Sequence, residues 1–438
     1  MLVGLCLRAL VALWISLFFL YVPSAFSADL NFKSVLAAAL KNSYDTKIFQ
    51  ADALAGNAFV REAKAEYYPK LSVRFGNDFI HSFTEKSGVV AGGDLVIADE
   101  SSYRHSLISS LSYTLYDFGV RKLTVENARR QVNISQLQER HAYLETYKAV
   151  LEHYSNGLKF QKQIFITEKI LDRQNAIFRL AKQLRIAGTL GREQVGIAAL
   201  DLAETLNQLD DLKLRLQDVL AGLSFYTQQD YGSDGVVFRD FAALRMTEGA
   251  VNLDAVAEVR IYQQQIDSKK AELSMVKRSM LPKLMIYGSH RMFGSDTDEF
   301  GRSLLDLTAR DATVSVVLEW PLFSGFADTA KRGRLHHEIN SLHYQKEKKK
   351  AELHQEISSL TDTYQFYQSI ENKHRVQMEL IADEQEDATR LADQQVTDQI
   401  NFHRKMVELN RLQLEQELWR VDYATSALAL DFMNRAGE

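Results

Sequence analysis

Residues 48–78, IFQADALAGNAFVREAKAEYYPKLSVRFGND, align without a gap on residues 261–291, IYQQQIDSKKAELSMVKRSMLPKLMIYGSHR. Ile48, Gln50, Ala58, Lys64, Pro69, Lys70 and Leu71 meet identical residues in the second stretch. A further pair follows in the same order: 111–119 (LSYTLYDFG) aligns on 318–326 (LEWPLFSGF). That alignment continues until Gln194 falls opposite Asn401. The chain is thus an internal two-fold repeat. Each half reads helix, Pro-Lys-Leu, strand, polar loop, strand, turn, very long helix, hairpin, returning helix.

Period-2 alternation predicts strands at about 70–80, 104–116, 283–293 and 310–322. In the first, Leu71, Val73, Phe75 and Phe79 oppose Ser72, Arg74, Gly76 and Asp78. In the second, Leu107, Leu111, Tyr113 and Leu115 share a face with Ser109 and oppose Arg104, Ser106, Ser110, Ser112 and Thr114. In the fourth, Val314, Val316, Leu318, Trp320 and Leu322 oppose Thr313, Ser315, Val317 and Glu319. The third is less regular, because His290 falls on its apolar face. Strands of about 9–11 residues cross a bilayer when tilted, and apolar-out, polar-in alternation is the pattern of a membrane barrel. Any one of these strands alone fits a soluble sandwich equally well.

The helices carry the stronger periodicity. From about 119 to 187 there is no proline and only Gly157 interrupts, which predicts a helix of roughly 100 Å. Apolar residues follow 4-3 spacing at Tyr143, Tyr147, Val150 and Tyr154, and at Leu353, Ile357, Leu360, Tyr364 and Tyr367. The last helix places Ile400, Val407, Leu414, Val421 and Leu428 at sevens. Sustained heptads mean helices packed side by side as coiled coils. Gly188 and Gly191 mark the first hairpin tip, and the polar stretch Gln394–Gln399 marks the second. Pro69 and Pro282 stand where a helix hands over to a strand, and Pro321 where a strand hands back. Proline donates no amide hydrogen, so such junctions tolerate it.

Residues 1–27 read as a signal peptide: Arg8, the apolar run 9–22, Pro23, and the small-x-small site Ala25-Phe26-Ser27. Cys6 lies ahead of the apolar run, so no cysteine remains after cleavage and stability must come from packing or assembly. No later stretch approaches 18 uninterrupted apolar residues, so membrane contact would be through strands. The net charge of −5 offers no basic field for nucleic acid. The expected organisation is a first repeat over 28–221, an equatorial linker of loop and short strand over 222–250, and a second repeat over 251–438.

The order of these motifs resembles the TolC family of outer-membrane efflux and secretion channels, over nearly the whole mature chain. The resemblance rests on the repeat, on Tyr68-Pro69-Lys70-Leu71 and Leu281-Pro282-Lys283-Leu284, and on Leu115-Tyr116-Asp117-Phe118-Gly119 and Pro321-Leu322-Phe323-Ser324-Gly325. The last two are similar to the family's Pro-Leu-Phe-Asp-Gly-Gly turn, with Thr114 in place of the proline and Phe326 in place of the second glycine. The resemblance implies a mainly helical protein with a membrane β-barrel: a homotrimer with four strands per chain, twelve in all, and coiled-coil helices in the periplasm. It also implies a passive exit duct of a tripartite efflux pump or type I secretion system, working with a periplasmic adaptor and an inner-membrane transporter. The seat would be the outer membrane of a Gram-negative bacterium. Four strands cannot close a barrel alone, which independently calls for oligomerisation.

The candidate gate lies at the tips: Arg185, Gly188, Gly191, Arg192, Glu193, Gln194, Asp393, Asp398, Asn401 and Arg404. The family often has acidic residues where Gln194 and Asn401 stand, with Ile197 and Arg404 one turn further on. Pro69, Gly119, Pro282, Pro321 and Gly325 are the helix–strand junctions. Leu71, Val73, Phe75, Leu107, Leu111, Tyr113, Leu115, Val314, Val316, Leu318 and Trp320 are the expected lipid-facing set. His336, His337, His343 and His354 share a helix but lack the i, i+4 pairing with a carboxylate that a metal site wants. No phosphate loop, nucleophile elbow or Cys/His cluster is present. No catalysis, cofactor or metal is expected. A periplasmic adaptor and a structural coiled-coil protein remain as other readings. The first would need one hairpin and compact β-domains, and the second leaves the strands unexplained.

Overall fold

The computed structural model describes residues 29–80, 102–232, 235–242, 251–296, 299–305, 307, 309–394 and 398–436. The expected signal peptide lies outside these residues, as do 243–250 of the expected linker and 395–397 of the second tip. The element order is β1 (Asp29–Leu30), α1 (Phe32–Asn42), α2 (Tyr44–Ala65), β2 (Lys70–Ile80), β3 (Ser102–Tyr116), α3 (Val120–Ile186), α4 (Arg192–Thr227), β4 (Val237–Phe238), α5 (Ala257–Ser279), β5 (Lys283–Asp296), α6 (Phe300–Leu305), β6 (Ala309–Glu319), α7 (Ala327–Asp393) and α8 (Gln399–Ala436). The two long helices α3 and α7 have 67 residues each. No helix among the described residues is long and apolar enough to cross a membrane.

The chain divides into two compact units. One holds residues 51–137 and 260–348. It is built on a four-stranded sheet of order β2-β3-β5-β6, antiparallel at every pairing. Lys70 and Lys283 follow Pro69 and Pro282 directly, so each proline ends a helix and leaves the strand's first amide free to pair. β6 stops at Glu319, three residues before Leu322, because Pro321 brings no N–H to the ladder. The alternation also shifts once: Thr114 pairs with Met285 but Tyr116 with Leu284, so Leu115 is the extra residue of a bulge. Helical packing in this unit runs through Ile266, Leu273, Val276, Leu335 and Ile339, with a smaller cluster of Ala63, Val125 and Ala128.

The other unit holds residues 138–259 and 349–438 with the N-terminal stretch through Gln50. Its main core gathers Phe32, Val35, Tyr147, Val150, Tyr154, Leu158, Leu223, Phe238, Val421 and Leu428. Tyr147, Val150 and Tyr154 are the heptad positions of α3, so the 4-3 stripe faces inward. The Tyr154 hydroxyl lies 2.7 Å from the carbonyls of both Leu30 and Arg239, which satisfies a polar atom at the centre of the core. That burial pushes the phenol up to about 12. β1 and β4 pair in parallel beside it.

Two glycines in this unit serve close approach. A Cβ on Gly157 would lie 2.4 Å from the Phe238 ring, and Gln161 brackets the Phe238 backbone at both N–H and C=O. A Cβ on Gly222 would lie 2.5 Å from the His153 ring. Gly222 therefore does not open the linker. It sits inside α4, which runs on to Thr227, and its missing side chain admits His153.

Candidate functional site at the hairpin tips and the sheet faces

At the first tip, α3 ends on Gly188, which is left-handed (φ 78°). The Gly188 N–H donates to Arg185 O at 3.0 Å and the Thr189 N–H to Leu184 O at 2.9 Å, a glycine C-cap. Leu190 then turns back onto a cluster of Ile177, Ala181, Val195, Ala198 and Ile400. Ile400 comes from α8, so the packing draws the two tips together. Gln194 acts locally, as a cap. Its Oε1 accepts from the Gly191 N–H at 3.1 Å and closes the start of α4. Asp398 accepts through its carbonyl from the Phe402 N–H at 3.0 Å and starts α8.

All ten gate candidates (Arg185, Gly188, Gly191, Arg192, Glu193, Gln194, Asp393, Asp398, Asn401 and Arg404) are exposed. Arg404 also lines a cavity of about 180 Å³, with Gln174, Ile177, Ile197, Ala198, Asp201, Val407 and Arg411. Arg411 and Asp201 were not singled out in the sequence. Asp201 comes from α4, and only the fold sets it beside Arg404, whereas Arg411 lies seven residues along α8 from Arg404, on the same helix face. Arg173 stands over the Phe402 ring at 5.5 Å. Burial and the Arg173 charge hold the His403 imidazole below its usual range.

Away from the tips, His141, Glu145 and Glu258 bring their ligating atoms within 4.8 Å of one another. Glu258 lies 3.1 Å from His141 Nδ1 and forms an ion pair with Lys349. Lys349 thus holds the carboxylate oxygen that a cation would need, and the group is an ion-pair network. His336, His337, His343 and His354 lie along α7, where His336 and His337 neighbour the packed residue Leu335.

In the sheet, cross-strand partners share a face. Leu71 pairs with Leu111, Phe75 with Leu107, Ile286 with Val316, and Leu284 with Leu318. Leu71, Val73, Phe75, Leu111, Leu115, Val314, Val316, Leu318 and Trp320 are exposed, Val314 at 83% and Leu71 at 72%; Leu107 and Tyr113 are half-buried. Trp320 stands just past the end of β6. The opposite face is polar: Ser72 and Ser110 bond at 2.7 Å, Arg291 with Asp311 at 2.8 Å, and Lys283 with Glu319 at 2.9 Å. His290, on the apolar face, has Nδ1 3.2 Å from the Asp311 carbonyl. β2 and β6 each pair on one side only among the described residues. The sheet therefore has one apolar exposed face and two open edges, an arrangement that water does not favour.

Residues 35–227 match the family model for outer membrane efflux proteins. This stretch is an outer membrane efflux protein domain. Solved structures share its fold across both repeats. The Campylobacter jejuni CmeC outer membrane channel is 13% identical, with a TM-score of 0.75, over 93% of this chain and 86% of that one. The Vibrio cholerae outer membrane protein VceC is 15% identical, with a TM-score of 0.69, over 93% and 95%. The Neisseria gonorrhoeae MtrE outer membrane channel, in its open state, is 13% identical, with a TM-score of 0.69, over 94% and 93%. No curated protein matches the chain. The efflux protein domain covers the first tip and the first pair of strands, and the repeat carries the same elements into the second half.

Proposed function

We propose that this chain is the outer-membrane exit channel of a tripartite efflux pump or type I secretion system, a passive conduit gated at its periplasmic tip. The sheet carries the reading. Its apolar face is exposed, its other face is charged, and its two edges are open. In a bilayer an open edge leaves backbone groups unsatisfied, so the strands must close into a barrel. A barrel takes at least about eight strands. Three chains with four strands each satisfy this, give a homotrimer, and put the apolar faces against outer-membrane lipid.

The tip fits a gate. Its charged residues are exposed, and its packing rests on the small cluster around Val195 and Ile400. Local opening there costs less than opening the main core. MtrE has been solved in an open state, and a fold with an open form gates by moving between two packings. A periplasmic adaptor, itself bound to an inner-membrane transporter, drives that shift by binding the open form better. The test is the mass of the detergent-solubilised particle together with conductance in a planar bilayer. A trimer that conducts is expected. A stable monomer or dimer, or folded protein recovered without detergent, overturns the reading.

A further inference from the structure

The short helix α6 has its polarity reversed for a helix in water. It buries Ser303 completely and exposes Phe300 at 50%, Leu304 at 37% and Leu305 at 89%. A surface helix in water does the opposite. α6 packs against β3 and β5. What it covers explains the reversal. By register, Asn77 pairs with His105 on the face that also carries Leu71, Val73 and Phe75. These are polar groups on an apolar surface, and uncovered they would be costly in lipid. His105 is nevertheless only 1% exposed. Its Nε2 lies 3.1 Å from the Phe300 carbonyl, and its Nδ1 bonds the Asn77 side-chain oxygen. The Phe300 ring meets His105 edge-on at 4.6 Å, and Phe75 lies parallel to it at 6.2 Å.

We propose that α6 is a lipid-contacting patch at the outer-leaflet boundary, a lid that replaces the polar Asn77–His105 pair with Phe300, Leu304 and Leu305. The inference rests on the sheet spanning the membrane as proposed above. The level is right for it. From Tyr116 to His105 the strand rises roughly 37 Å, which at a barrel tilt of about 40° is roughly 28 Å of depth against an apolar band about 25 Å tall. Aromatic residues gather at such boundaries, and Phe79 and Tyr103 pack 5.1 Å apart on the same face. Arg302 and Glu299, an exposed pair at 3.6 Å, are flexible enough to turn toward headgroups.

Trp320 provides an internal control. In a Trp419→Phe background, Leu305→Trp adds one reporter on a residue whose exposure leaves folding undisturbed. The trimer is reconstituted in phosphatidylethanolamine–phosphatidylglycerol vesicles containing phosphatidylcholine brominated either near the headgroup or near the chain end. The indole at position 305 is expected to lose emission with headgroup-proximal bromine to the same extent as Trp320, less with chain-end bromine, and little with aqueous iodide. If Trp320 is quenched while position 305 answers only to iodide, α6 is a solvated loop and this inference falls alone. If neither is quenched by brominated lipid, the membrane reading falls, and this inference with it.

Discussion

Gly119 and Phe326 hold the same place in the two repeats, and both are left-handed, with φ of 81° and 66°. One step earlier the residue types are exchanged: Phe118 has φ 55° and Gly325 φ 62°. Each turn from strand into long helix therefore needs two consecutive left-handed residues, and each repeat supplies one as glycine and one as phenylalanine. A side chain in this region costs about 1–2 kcal/mol. The rings recover part of it, Phe118 against Tyr116 at 4.8 Å and Phe326 against Phe323 at 5.3 Å.

The remaining glycines of these turns should be intolerant. Gly119→Ala places a Cβ 2.9 Å from Arg278 Nη1, which donates to the Phe118 carbonyl at 3.2 Å. The expected loss is about 1–2 kcal/mol. Gly333→Ala, in the interior of α7 with nothing near its Cβ, should instead stabilise by about 0.5–1 kcal/mol. Thermal unfolding of the detergent-solubilised variants checks that the two shifts have opposite sign.

Asp117 caps α3. Its carboxylate accepts from the Gly119 N–H at 3.1 Å and from the Arg121 N–H and Nε, each at 2.9 Å. Burial works to raise its pKa, but the hydrogen bonds and charge of Arg121, with the Gly119 N–H, outweigh it and hold the carboxyl below its usual range. A lowered native pKa means stability present above the unfolded value and lost as pH falls through the native one. Asp117→Ala should cost about 1–2 kcal/mol near neutrality. The gap from wild type should narrow as pH falls below about 4, measured as unfolding midpoints across that range.

Gly157→Leu should detach the segment around Phe238 from α3, since even a Cβ would lie 2.4 Å from the ring. Overpacking of this kind costs about 1–3 kcal/mol. Limited proteolysis should then cut between Gln228 and Val256 sooner than in wild type, while the rest of α3 stays protected.

Val316 and Ser315 are neighbours on opposite faces of β6, paired with Ile286 and Tyr287. Arginine at a lipid-facing position near mid-bilayer costs about 2–4 kcal/mol. Val316→Arg should therefore reduce assembled trimer in outer-membrane fractions much more than Ser315→Arg. Equal assembly would reverse the assignment of faces.

Gln194 and Asn401 stand where the TolC family often carries an acid, and Arg404 lies one turn past Asn401. Arg404→Glu should move ion selectivity in a planar bilayer toward cations. Gln194→Glu should do the same while keeping the cap on the Gly191 N–H. Both positions are exposed, so thermal stability should change little. Unchanged selectivity in both would place the constriction elsewhere.

The sequence determined by itself what repeats locally. Four alternating strands, two very long helices and the prolines between them follow from periods of two and of three and a half, because a backbone conformation is set mostly by a residue and its near neighbours. Pro69 and Pro282 could be read as junctions for that reason. The tertiary structure decided what depends on residues far apart. The bulge at Leu115, Gly222 yielding to His153 rather than opening a loop, Asp201 lining a cavity with Arg404, and the lid of α6 over His105 and Asn77 have no period to betray them. Each exists because two distant segments approach closely enough that one methyl group or one unpaired polar atom decides the fit.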